Sequence, residues 1–175
     1  DFANGKKKTL NDAGCSASIP MFNYDGGLIA FPQWGQGNTK PYIKLYDVVE
    51  HKEFARFSDG IECWRPIFSK GDSVIYYISK ATENSKFAIK SYGIKNGTKT
   101  MLLKMPYDIW DIALSPSGKY IAYAGNKDGN WDLFLFNIET QQVTQLTKSI
   151  GNEWDPSFGH GDYELFFAGV FGINN

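Results

Sequence analysis

Residues 110–123 read WDIALSPSGKYIAY, two apolar stretches around a Ser117-Gly118 turn pair. A turn pair between two apolar runs is the signature of a β-hairpin. The same pattern recurs without gaps in SIPMFNYDGGLIAF (18–31), WRPIFSKGDSVIYY (64–77) and WDPSFGHGDYELFF (154–167). Phe22, Phe68, Leu114 and Phe158 fall in register, as do Phe31, Tyr77, Tyr123 and Phe167. Successive copies are offset by 46, 46 and 44 residues. Self-similarity at such a period marks a repeat architecture.

A second hairpin follows the first. PYIKLYDVVEHKEFARF (41–57), KFAIKSYGIKNGTKTMLL (86–103) and WDLFLFNIETQQVTQL (131–146) align on Ile43, Ile89 and Leu133. Their turns fall at Glu50-His51, Asn96-Gly97 and Thr140-Gln141. The opening DFANGKKKTL (1–10) fits the last half of this hairpin, with Asn4-Gly5 at the turn. Two residues fewer between Tyr123 and Leu133 account for every spacing of 44. Each unit is therefore four antiparallel strands. Four-stranded units are expected at about 17–58, 63–104 and 109–147, with a partial one at 153–169 and residues 1–10 as the last strand of a preceding unit.

The second strand of each unit is apolar on both sides, as in Val74-Ile75 and Leu165-Phe166-Phe167. Such a strand is covered on both faces. Four-stranded sheets stacked face to face around an axis satisfy this, which makes the expected fold class all-β, a β-propeller. A β-sandwich would need less regular units. The expected ring is incomplete: one last strand, three full blades, and the first two strands of a fourth. An unpaired strand there is an exposed edge that invites association. Further sequence, a second copy or a partner chain is expected to complete it.

Residues 115–147, SPSGKYIAYAGNKDGNWDLFLFNIETQQVTQLT, resemble the TolB-type, WD-like propeller repeat. That repeat also recurs in the N-terminal propellers of prolyl-oligopeptidase-type peptidases. The resemblance is weaker in 17–62, where Ser-Pro is missing, and weaker again in 63–108. It implies a propeller scaffold that binds a protein partner in the periplasm or outside the cell. A gating propeller of a serine peptidase and a propeller-fold polysaccharide lyase are the alternatives. Propellers host many activities, so the resemblance speaks to fold more than to function.

The composition narrows the classes further. Aromatic residues make up 16% of the 175, and the net charge is −1. A near-neutral chain without blocks of like charge is not built for nucleic acid. No apolar run is long enough for a membrane helix. Cys15 and Cys63 lack zinc-site spacing; they read as a disulfide or as two small buried hydrophobes.

The candidate site lies at one end of the predicted strands. Trp64, Trp110 and Trp154 share one register at the start of the innermost strand, followed by Arg65, Asp111 and Asp155. Trp34 and Trp131 fall in loops predicted at the same end. An aromatic rim with a few charges around an axial opening is a binding surface. For Trp64, Trp110 and Trp154 the favoured reading is as plugs between adjacent blades, whereas Trp34, in the polar stretch PQWGQGNTKP, is expected to be exposed. Catalysis has little support. His51 and His160 are predicted in turns at the opposite end, no GxSxG elbow is present, and two imidazoles are too few for a His-rich metal site. NKDGNWD (126–132) lacks the closing glutamate of an EF-hand and reads as a polar loop. No cofactor is expected.

Overall fold

The computed structural model describes residues 5, 7–35 and 40–170. The first sheet contains β1 (Cys15–Ala17), β2 (Met21–Phe22), β3 (Leu28–Gly35), β4 (Tyr42–Asp47) and β5 (Lys52–Phe57). β1 and β2 both pair with β3, so together they occupy one innermost position. The second sheet runs β6 (Glu62–Phe68), β7 (Val74–Lys80), β8 (Ala88–Gly93) and β9 (Lys99–Lys104). The third runs β10 (Asp108–Leu114), β11 (Tyr120–Asn126), β12 (Trp131–Asn137) and β13 (Val143–Gln145). β14 (Asn152–Phe158) and β15 (Leu165–Val170) pair as a two-stranded sheet. All pairings are antiparallel and, apart from β1 with β3, join chain neighbours, the meander of propeller blades. Among the described residues no helix is long and apolar enough to cross a membrane.

The turns follow from backbone sterics. The tight turns between third and fourth strands place His51, Gly97 and Gln141 at φ of 55°, 69° and 60°. These three positions share one register, and only Gly97 adopts that left-handed conformation without a Cβ penalty. The turns between first and second strands also tie sheets together. Asp72 accepts hydrogen bonds from the Tyr24 amide at 3.0 Å and from Asn23 at 3.1 Å. Asp162 accepts one from the Ser117 amide at 3.0 Å, the corresponding link between the third sheet and the last pair.

The core lies between sheets. Ile43, Leu45 and Phe57 of the first meet Cys63, Phe68 and Tyr77 of the second. Phe57 stacks on Tyr92 with ring centroids 3.9 Å apart. Between the second and third sheets, Ile78 and Ile89 pack with Ile109, Ile121 and Phe136. Tyr77 and Tyr123, predicted to be equivalent, are both fully buried. Their hydroxyls stay hydrogen-bonded, Tyr77 donating to Asp59 at 2.6 Å and Tyr123 lying 3.2 Å from the Tyr107 hydroxyl.

Three expectations are corrected. Residues 7–10 form no strand, and residues 1–4 and 6 lie outside the described residues. A fourth strand pairs with the third strand of its own sheet, as β5 does with β4, and no described sheet precedes the first. The segment instead docks by its side chains. Leu10 packs on Ile29, Phe31 and Tyr46, and Lys8 sits 5.2 Å from the Tyr46 ring centroid. Asp12 pairs with the buried Lys44 at 2.5 Å and accepts from Tyr42 at 2.6 Å. Those two bonds hold its carboxyl well below the ordinary range. Second, the recurrence of Phe22, Phe68 and Phe158 in one register of the innermost strand predicts that all three are buried, but Phe22 is 58% exposed while Phe68 is buried. Third, Trp34 belongs to β3, paired opposite Ser16, and Trp131 opens β12, paired opposite Asn126, rather than lying in loops. Residues 36–39 of the loop expected around Trp34 lie outside the described residues. Cys15 and Cys63 are free thiols; Cys63 is buried, which pushes its thiol up to about 11.

The last strand pair breaks a core pattern. Cys63, Ile109 and Glu153 share one register, and all three are buried. Glu153 Oε2 has no hydrogen-bond partner among the described residues. A buried carboxylate oxygen without a partner carries its desolvation cost uncompensated. Glu153→Ile is expected to raise stability by about 1–3 kcal/mol, the cost of one unsatisfied buried polar group. A urea midpoint that falls instead would show that the carboxylate is engaged.

Candidate functional site

Each innermost strand carries a bulge at the same place. The pairing slips by one residue between Ile109 and Ile112, between Trp64 and Ile67, and between Trp154 and Ser157. The gap between β1 and β2 is the same slip, since Ala17 opposes Gln33 whereas Met21 opposes Ala30. Pro20, Pro66 and Pro156 sit at this point in three of the four. Proline has no N–H for the ladder, and a bulge is where a strand tolerates it. The residues before these prolines, Ile19, Arg65 and Asp155, have φ of 39°, 51° and 50°. This unusual backbone re-aims the side chains of one register position.

Three of those side chains meet. Arg65 Nη2 contacts Asp111 Oδ1 and lies 3.0 Å from Asp155 Oδ1. The Asp155 amide donates to Asp111 Oδ2 at 3.3 Å. One guanidinium thus joins the second sheet, the third sheet and the last strand pair. Asp111 is almost wholly buried, Arg65 is half-buried, and Asp155 is exposed. Burial and the neighbouring Asp155 outweigh the pull of Arg65 and raise the Asp111 carboxyl to about 6.

Tryptophans surround this triad. Trp64 and Trp110 meet edge to face with centroids 3.9 Å apart, and Trp110 and Trp131 lie 6.1 Å apart. Trp110, Trp131 and Trp154 line an open cavity of about 480 Å³ together with Arg65, Asp111 and Asp155. Trp34 is apart from this group. It shares a second cavity, of about 410 Å³, with Trp64 on the first-sheet side. The register tryptophans differ in burial. Trp64 packs against the core between second and third sheets, whereas Trp110 keeps 39% of its surface exposed. Below the triad the innermost strands line an apolar axial cavity of about 640 Å³, with Phe22, Phe68, Leu114 and Phe158 in its wall.

The histidines lie elsewhere. His51 is in the β4–β5 turn, where its carbonyl accepts from Lys8 Nζ at 3.3 Å. His160 is in the β14–β15 turn, its amide donating to Glu164 at 3.3 Å. Those turns sit at the strand ends opposite the tryptophans. Among the described residues no group of three His, Cys, Asp or Glu could hold a metal ion. In the 126–132 loop Asn130 donates to the Ser149 and Gly151 carbonyls, bracing the loop with its side chain.

The architecture matches solved structures. TolB from Acinetobacter baumannii superposes with a TM-score of 0.73 at 24% identity, over 92% of this chain and 39% of that one. A putative TolB from Agrobacterium tumefaciens gives 0.70 at 18% identity, over 90% of this chain and 57% of its own. The fold is that of a TolB-like β-propeller. The propeller is not confined to TolB structures: a prolyl endopeptidase superposes at 0.66 with 14% identity, over 86% of this chain and 24% of that one. No family model matches the chain. An uncharacterized protein of Agrobacterium fabrum (strain C58) is 28% identical over 96 residues, 55% of this chain. This chain spans 32% of that relative's length.

The bulge that aims Arg65, Asp111 and Asp155 at one another was not anticipated from the TolB-like repeat. Its signal stands in the aligned segments: proline follows the same register position in three of four.

Proposed function

We propose that this chain is part of a non-catalytic propeller scaffold that binds a protein partner through its tryptophan-bearing end. The supporting observation is the corner formed by Trp110, Trp131 and Trp154 around the charged triad. Large, partly exposed indoles next to a buried charge pair are what interface anchors are made of. The likeness to TolB supports a setting in the periplasm or outside the cell. Among the described residues β14 and β15 make a two-stranded sheet beside four-stranded ones, and the reading includes a further strand that completes it. That strand comes from more of the same protein, another copy or the partner.

Panning a random peptide library against the protein, with Trp110→Ala as counter-target, tests the reading. Peptides held by the wild type and lost on the variant are expected, with the variant's circular dichroism showing the fold retained. Recovery of no peptides, or of peptides held equally by both, overturns it.

The superposition on a prolyl endopeptidase favours one other reading, the gating propeller of a prolyl-oligopeptidase-like serine peptidase. A GxSxG motif with a later Asp and His in the same gene would decide for it.

A further inference from the structure

The tryptophan corner carries unequal charge. Two carboxylates, Asp111 and Asp155, face one guanidinium, and both contacts of Arg65 use the same nitrogen, Nη2. With both acids ionised the cavity holds one net negative charge. Asp111 is enclosed, but the Asp155 side chain is 54% exposed and lines the cavity. The three indoles add a second preference of the same sign, because the face of an aromatic ring is the negative end of its quadrupole. A cation is favoured by both features, and an anion is opposed by both. A neutral ligand gains only apolar contact. At about 480 Å³ the cavity also has room for an aliphatic stem lying against the rings.

We infer that this cavity receives a basic side chain, lysine or arginine, from the partner's docking segment. The inference rests on the protein-binding reading above and sharpens it. The ammonium or guanidinium head sits against the exposed Asp155 oxygen, and its stem covers Trp110 and Trp131. Asp155 is well placed for a clean test, since Asn tolerates the left-handed backbone found at this position.

Titration of the ¹⁵N-labelled protein with N-acetyl-lysinamide, N-acetyl-argininamide and the neutral N-acetyl-norleucinamide reads this directly from the indole N–H signals. Saturable shifts at Trp110, Trp131 and Trp154 are expected with the two cations. Binding of norleucinamide is expected to be weaker by about tenfold, the scale of one partly desolvated cation–π contact with its counter-charge. Asp155→Asn removes most of that preference, and added salt weakens the cations but not norleucinamide. Equal binding of norleucinamide, or an unchanged preference in Asp155→Asn, overturns the inference. Peptides that depend on Trp110 but lack Lys and Arg overturn it as well while leaving the protein-binding reading standing. Bound lysinamide without any Trp110-dependent peptide overturns the protein-binding reading, and with it the partner as source of the cation, while the cavity's preference for a cation stands.

Discussion

Arg65→Ala is expected to lower stability by about 3–5 kcal/mol above pH 7, the range for removing one partner of a buried ion pair. Asp111 is 2% exposed. Without Arg65 it would keep its burial and its like-charged neighbour Asp155 and lose the only opposing charge that touches it in the triad. The pH dependence carries the sign. In the wild type the Asp111 carboxyl is raised to about 6, above its ordinary 3.8, so the folded state holds this proton more tightly than the unfolded state does. Its contribution to stability is greatest below about 3.8 and falls as pH rises through 6. Removing Arg65 raises the carboxyl further and deepens that fall. The loss in Arg65→Ala is therefore expected to shrink towards pH 4 and to reach its full size above pH 7. Urea unfolding at both pH values measures it. Adding Asp111→Asn to Arg65→Ala recovers most of the loss, because a neutral amide has little charge to desolvate. A double variant as unstable as the single one would show that Arg65 acts through packing alone.

Phe68→Ala is expected to cost about 3–5 kcal/mol and Phe22→Ala less than about 1 kcal/mol, although the two share one register. Phe68 is 4% exposed and lies in the core between first and second sheets, against Ile75 and Tyr77. Phe22 is 58% exposed and opens onto the axial cavity. At this position the innermost strand of one sheet packs against the sheet before it. The first sheet has Leu10 and its neighbours on that side, and they cover Ile29 and Phe31. Phe158, half-buried, should fall between the two. Chemical-denaturation midpoints of the three variants give the order, and equal losses in Phe22→Ala and Phe68→Ala would overturn this account of the packing.

Much of the candidate site was legible as placement but not as contact. Trp64, Trp110 and Trp154 share a register, and so do Arg65, Asp111 and Asp155, which brings both sets to one end of the strands. That Arg65 stands between the two acids is a different kind of fact. Asp155 is 90 residues away from it in the chain, and the pairing depends on bulges that rotate the side chains off the regular pleat. Nor did the register show that Trp34 would be separated from Trp110 and Trp131, each group with a cavity of its own.

The amino-acid sequence by itself determined the repeat, the hairpins and the blade architecture, because these rest on interactions within a few dozen residues. Alternating apolar residues choose the faces, and turn pairs such as Asp25-Gly26 and Asn96-Gly97 set where the chain reverses. Only the tertiary structure decided which members of a register are buried. One register position holds buried Ile109 and buried Glu153, and another holds buried Phe68, half-buried Phe158 and exposed Phe22. Identical local patterns have identical backbone geometry, but burial and charge pairing depend on the neighbouring sheet, and each sheet has a different neighbour.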